Sequence, residues 1–174
     1  PLRTAVAGRG GTAGRAGWTV LAPGPGAAAV PAPDSSQVND ASVVLLAEVS
    51  GVRVLLTGDL EPEGQRRLLR SAGSWPGGAV VDVVKVAHHG SGRQEPGLYA
   101  ALRPRVALVE VGAANDYGHP AAPTLALLAG LGARTLRTDR DGDVAVAGTA
   151  GRLRTLVRGP DAREAERRAR YSDG

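Results

Sequence analysis

Val43-Val44-Leu45-Leu46-Ala47-Glu48-Val49-Ser50-Gly51-Val52-Arg53-Val54-Leu55-Leu56-Thr57-Gly58-Asp59 contains two β-branched, Leu-rich runs separated by a Ser-Gly pair. Each run has the length of a strand, and Ser50-Gly51 is the signal of a tight two-residue hairpin. Both runs are apolar on successive positions, the pattern of strands covered on both faces. The second run empties into Thr57-Gly58-Asp59, which sets an acidic side chain just beyond a buried strand.

Outward from this hairpin, the periodicity changes element by element. Residues 61–70 place Leu68 and Leu69 among Glu, Gln and Arg, which predicts a short amphipathic helix. A buried strand is predicted over 80–87, a helix over 95–102, and a further strand over 106–111 after the stop at Arg103-Pro104. Residues 124–131 repeat Leu at helical spacing and end at Gly132. Strands are predicted over 134–138, 143–147 and 153–157, with turns at Asp141-Gly142 and Ala150-Gly151. Upstream, residues 1–38 form an irregular Gly/Pro/Ala-rich segment with one short strand at 18–21. The patterned α/β domain runs over 39–158. A charged tail, 159–174, is expected to be flexible, with a frayed solvent helix over 161–170. Strand pairs and helices alternate, with a hairpin at each end. That order fits a layered α/β sandwich better than a doubly wound nucleotide fold, and there is no Gly-rich phosphate loop.

Composition narrows the chemistry. The 174 residues include 25 Gly and 12 Pro but no Phe and no Met, so the core must be built from Val, Leu and Ala. With no Cys there is no disulfide framework, thiolate metal site or cysteine nucleophile. The net charge of +4 favours polyanions, but much of the positive charge lies outside patterned elements. No apolar run approaches the roughly 20 residues of a spanning helix.

Five places in the sequence can carry chemistry. The only three His are His88, His89 and His119. His88-His89 stand where a buried strand runs into Gly90-Ser91. Side chains alternate along a strand, so the two rings diverge unless the turn has already begun. One can bind metal while its neighbour contacts substrate or an outer carboxylate; the plain alternative is a polar strand end. Asp59 can project into a cleft and bridge two hard cations, or cap the helix that begins near Glu61-Pro62. Asn115-Asp116-Tyr117-Gly118-His119-Pro120 follows another strand; it is either a cleft-lining loop or an ordinary polar turn with Asp116 and His119 solvated. Asn39-Asp40-Ala41-Ser42 can hydrogen-bond a phosphate or cap a turn. Lys85, in an apolar strand, needs a carboxylate or a phosphate for its ammonium, or else stands at a solvent-facing edge position. No Gly-x-Ser-x-Gly elbow or H-E-x-x-H helix occurs, and Ser91 beside His89 lacks a third triad member.

Taken in order, Asn39–Leu45, Leu55–Asp59, Asp82–Ser91, Asn115 with Tyr117–Pro120, and Arg137-Thr138-Asp139 before Gly142 resemble the C-terminal metallo-β-lactamase-like domain of the ComEC competence family. The likeness covers about residues 39–148, and Trp18–Pro23 stands where that family has a strand ending in Leu-x-Pro. The resemblance implies the C-terminal part of an αββα sandwich with a metal site along one edge of its sheets. By the same token Asp59 and His89 are metal ligands, and His88 and His119 are catalytic. Asn39, Ser42, Lys85, Ser91 and Asn115 contact substrate. The implied cofactor is one or two Zn or Mn ions, and the implied reaction is phosphodiester hydrolysis in DNA. The implied partners are DNA and the membrane-channel portion of the same longer chain, with this domain outside the cytoplasm. The H-x-H-x-D-H loop that supplies most ligands in that fold is absent from 1–174, and the chain begins at Pro1; both lead to the expectation of an N-terminally truncated fragment, inactive alone. Alternatives are a soluble hydrolase of the same fold acting on another phosphoester, and a non-catalytic basic DNA-binding remnant.

Overall fold

The computed structural model describes residues 4–24 and 35–159. Strands β1 (Gly10–Ala13) and β2 (Ala16–Ala22) form a hairpin that pairs antiparallel with β3 (Val44–Val49), and β3 pairs antiparallel with β4 (Val52–Leu56). From β4 onward the pairing is parallel. β5 (Val83–Lys85), β6 (Val106–Val109) and β7 (Arg134–Arg137) add in chain order to complete a seven-stranded mixed sheet. β8 (Asp143–Thr149) and β9 (Arg152–Arg158) make a separate two-stranded ribbon. Helix α1 (Ser35–Asp40) precedes β3. Helices α2 (Pro62–Ser71), α3 (Pro96–Leu102) and α4 (Ala122–Gly130) are the parallel crossovers, and a short turn of helix, α5 (Thr138–Asp141), follows β7.

The layering follows from the direction of assembly. Crossovers between parallel neighbours are right-handed almost without exception, and β4 to β7 advance one way, so their helices fall on one face. There Leu68, Leu98, Tyr99, Leu102 and Leu128 pack on Val44, Leu46, Leu55, Val84, Ala107 and Val109. Each such Val or Leu contributes about 1.5–3 kcal/mol by leaving water. On the other face Val52, Val83, Val106 and Leu136 lie beneath Val144, Val146 and Leu153 of the ribbon. The result is an α/β sandwich of helices, mixed sheet and a short second β layer.

The central hairpin forms as its residues dictate. Ser50 and Gly51 have φ of 52° and 76°, as a type I′ turn requires, and Val49 pairs with Val52. Coverage of both faces is only partial, however. Val43, Val49 and Leu56 are exposed, because the ribbon lies over the later strands and leaves this part of its face of the sheet open.

The strand expected over 80–87 shortens to β5. Just before it, Asp82 accepts the Arg53 backbone N–H at 3.0 Å, and the Arg53 guanidinium donates to the carbonyls of Pro76, Gly77, Gly78 and Val80. Side-chain bonds thus supplement the backbone pair there, in which the Asp82 N–H donates to the Arg53 carbonyl at 2.9 Å.

The segment expected to be irregular carries β1 as well as the strand at 18–21. A Cβ at Gly10 would lie 2.6 Å from the Trp18 carbonyl oxygen, and one at Gly11 would lie 3.0 Å from the indole. The glycines therefore admit close strand pairing rather than break it. The helix expected over 161–170 lies outside the described residues. No helix among the described residues is long and apolar enough to cross a membrane.

Candidate functional site

Parallel strands deliver their loops to one edge, and the carboxyl ends of β4, β5 and β6 bring Asp59, Lys85, His88, His89 and Glu110 together with His119. Asp59 stands behind Gly58, whose φ is 58° and where a Cβ would lie 2.8 Å from the Ser42 Cβ. Only glycine fits that turn. The Ser42 hydroxyl accepts the Asp59 backbone N–H at 3.1 Å. Asp40 accepts the backbone N–H groups of Glu61 and Gly64, each at 3.1 Å, and pairs with Arg67 at 2.9 Å. The cap of α2 is therefore Asp40, reaching across from another segment. Asp59 is released from that duty, its side chain 39% exposed. The Asn39–Ser42 stretch thus builds the loop beneath Asp59: Asp40 and Ser42 bind protein N–H groups, while Asn39 accepts the Ser42 N–H through its carbonyl at 2.9 Å.

Lys85 finds the partners its burial demands. Its side chain is 15% exposed; the ammonium donates to the Gly58 carbonyl at 3.1 Å and lies 3.7 Å from Asp59 and 4.0 Å from Glu110. Beneath it the buried Thr57 hydroxyl donates to the Lys85 carbonyl at 2.7 Å.

At His88-His89 the turn has already begun. Both residues have positive φ, 45° and 52°, and the His88 N–H is held by the Gly58 carbonyl at 3.1 Å. The rings sit 6.3 Å apart at 73°. The Nδ1 of His89 lies 2.6 Å from the Glu110 carbonyl oxygen, which only accepts, so Nδ1 carries the proton. That leaves Nε2 facing an Asp59 carboxylate oxygen at 3.4 Å. Two acceptors so placed require a proton or a cation between them. Two ligands at about 2.0–2.1 Å on a tetrahedral ion stand about 3.3 Å apart, so this pair has the dimension of one edge of a metal site. A catalytic zinc takes three protein ligands, and no group of three acidic or imidazole side chains is arranged to hold a metal among the described residues. The donors present fit as part of a site and do not complete one.

His88 takes a different partner. Its Nδ1 is 3.0 Å from Glu61, a carboxylate whose side chain is only 9% exposed and whose other oxygen has no hydrogen-bond partner among the described residues. The His88 ring faces His119 at 5.6 Å and 79°. Burial first, then the charges of His88 and His89, hold the His119 imidazole below its ordinary value of 6.5. Asn115 fixes the loop that carries it: its amide oxygen accepts the His119 N–H at 3.2 Å, and its amide nitrogen donates to the carbonyls of His119 at 2.9 Å and Gly112 at 3.3 Å. His119 is thus drawn into the cluster rather than merely solvated.

A buried network underlies the histidine turn. Tyr99, fully buried, donates to Gln94 at 2.7 Å and accepts the Ala87 N–H at 3.2 Å; burial pushes its hydroxyl up, so it stays protonated. Gln94 binds the carbonyls of Ala87 and Ser91, and Thr124 donates to the Ser91 carbonyl at 2.6 Å. Ser91 itself is 6% exposed, with its hydroxyl toward Gln94. Glu61 and Glu110 were not singled out from the sequence. Glu110, an acid directly beyond an apolar strand as Asp59 is, carried a usable signal; Glu61 was masked by its place at a helix start.

The fold and cluster together define an α/β protein with a carboxylate–lysine–imidazole edge site. No family model matches the chain. It is similar to ComE operon protein 3 of Bacillus subtilis (strain 168), 39% identical over 65% of this chain and 14% of that protein. It is also similar to competence protein ComA of Neisseria gonorrhoeae, 33% identical over 60% of this chain and 15% of that protein. The matched region is thus about a seventh of the length of these curated relatives.

Proposed function

We propose that the chain contributes the C-terminal part of a metallo-β-lactamase-like domain that hydrolyses DNA phosphodiesters in a competence protein. The observation that carries this is the gathering of Asp59, Lys85, His88, His89 and His119 at one sheet edge, although they come from three separate strand ends and the loops beyond them. The two competence-protein relatives support the biological setting. In this reading Asp59 and His89 are this chain's share of the ligands for Zn or Mn, with the remaining donors supplied by other residues of a longer polypeptide. The bound metal would supply Lewis-acid stabilisation of charge at phosphorus. Lys85 neutralises charge beside Asp59. His119, its imidazole held below the ordinary value first by burial, has its ring 5.6 Å from that of His88 and would serve as a proton acceptor. The longer protein is membrane-embedded, with this part outside the bilayer and outside the cytoplasm.

The test is metal content and nuclease turnover of a longer protein containing this chain, with Asp59→Ala and His89→Ala. Each substitution is expected to abolish metal-dependent cleavage while the circular dichroism stays that of the unsubstituted protein. Undiminished cleavage in both would refute the site. Less than one metal ion bound per longer chain would point to a non-catalytic DNA-binding role instead. The 174-residue chain alone is expected to show no measurable turnover.

A further inference from the structure

Tyr117 is 85% exposed in a chain that has no Phe, three Tyr and two Trp. By contrast Tyr99 and Trp75 are buried in the core. A large aromatic left in solvent here is not spill-over from a crowded interior. Its position is also fixed from below. Asn115 ties Gly112 to His119 across the loop, so Tyr117 projects from a backbone whose two ends are held. Its ring lies 6.3 Å from the His119 ring at a tilt of 31°, and His119 in turn lies 5.6 Å from His88. A row of rings therefore leads outward from the Asp59–His89 pair.

Beside that row is a cavity of about 280 Å³ lined by His89, Glu110, Val111, Asn115, Tyr117 and His119. Its volume suits one flat ring system rather than a large ligand. Its charge is equally selective. The Glu110 carboxylate, 68% exposed, repels a second phosphate but accepts hydrogen bonds from ring N–H or exocyclic amino groups. Val111 and the aromatic faces favour an uncharged planar group.

Resting on the phosphodiester reading above, we propose that Tyr117 is the platform on which the nucleobase next to the scissile phosphate stacks. The site then selects a nucleic-acid strand over phosphodiesters that carry no base. Every base has a π-face, so such a platform is tolerant of sequence.

Binding by the 174-residue chain tests this without requiring turnover. Fluorescence anisotropy at one fixed salt concentration compares a labelled single-stranded oligothymidine with an abasic strand of the same length and charge. Wild type is expected to prefer the base-bearing strand. Tyr117→Ala should weaken that binding by about 5- to 150-fold, the range for one stacked base, and leave the abasic strand unaffected. Tyr117→Phe should behave as wild type. Equal affinity of wild type for the two strands, an equal loss on both, no effect of Tyr117→Ala, or no binding to either strand would overturn the proposal. Cleavage by the longer protein with no base preference here would fault the platform alone; base preference without cleavage there would fault the hydrolytic reading alone.

Discussion

Replacing Asp40 with Ala separates the carboxylate that caps α2 in the structure from Asp59, the one whose place in the sequence offers it for that cap. Asp40 accepts two backbone N–H groups at the helix start and pairs with Arg67 at 2.9 Å. Loss of a helix cap costs about 1 kcal/mol. The second N–H left without its acceptor adds a similar amount, and the half-exposed Arg67 pair adds at most about 1 kcal/mol. The total is about 2 kcal/mol, or roughly 4–8 °C in melting temperature for a chain of this size. Asp59 caps nothing, and its contacts are Lys85 at 3.7 Å and His89 at 3.4 Å. Asp59→Ala takes one partner from the largely buried Lys85, which keeps the Gly58 carbonyl and Glu110, and should therefore cost no more than about 1 kcal/mol. Asp40→Asn, which keeps a neutral acceptor, should fall between. Urea unfolding of the three variants and wild type, fitted with a common slope, gives the comparison. Equal costs for Asp40→Ala and Asp59→Ala, or an Asp40→Ala protein as stable as wild type, would refute the assignment of the cap and with it the reason Asp59 is free.

Tyr99→Phe removes a hydroxyl that is donor to Gln94 and acceptor from the Ala87 N–H. Two groups beneath the histidine turn lose their partner, at about 1–3 kcal/mol each, so a loss of about 2–6 kcal/mol is expected in urea; a loss below about 1 kcal/mol would contradict the network. His119 should titrate by NMR with a midpoint below 6.5, and His88→Ala or His89→Ala should raise it by removing like charge. Because the folded state favours the neutral ring, its contribution to stability is complete above pH 6.5 and lost as pH falls through the folded midpoint; a wild-type midpoint at or above 6.5 would contradict this.

What was legible in the sequence was what short-range patterning controls. The 43–57 hairpin, the crossover helices and the ribbon at 143–157 follow from periodicity and turn residues within a few positions of one another. The exits of buried strands also pointed to one common edge, where Asp59, His88-His89 and the Asn115–Pro120 loop converge. The partnerships that set the edge were not legible. Asp40 caps a helix across a strand hairpin, and Glu61 turns its carboxylate away from its own helix to His88. β1 was hidden because Gly10 and Gly11, read alone, suggest a loop; their use depends on Trp18 opposite. These facts belong to three-dimensional proximity, which periodicity does not encode.

The hydrogen bond from the His88 backbone N–H to the Gly58 carbonyl joins the end of β4 to the turn after β5, two places brought together only when the parallel pair has closed around α2. No local segment can form that link early, because its loop must close before any reward is collected. Solvent exchange at the His88 amide should accordingly belong to the slowest, most global opening of the chain. The candidate site is thereby a late reporter of folding: a chain that has not paired β4 with β5 lacks this link, and any molecule that presents the full cluster has brought β4, β5 and β6 together.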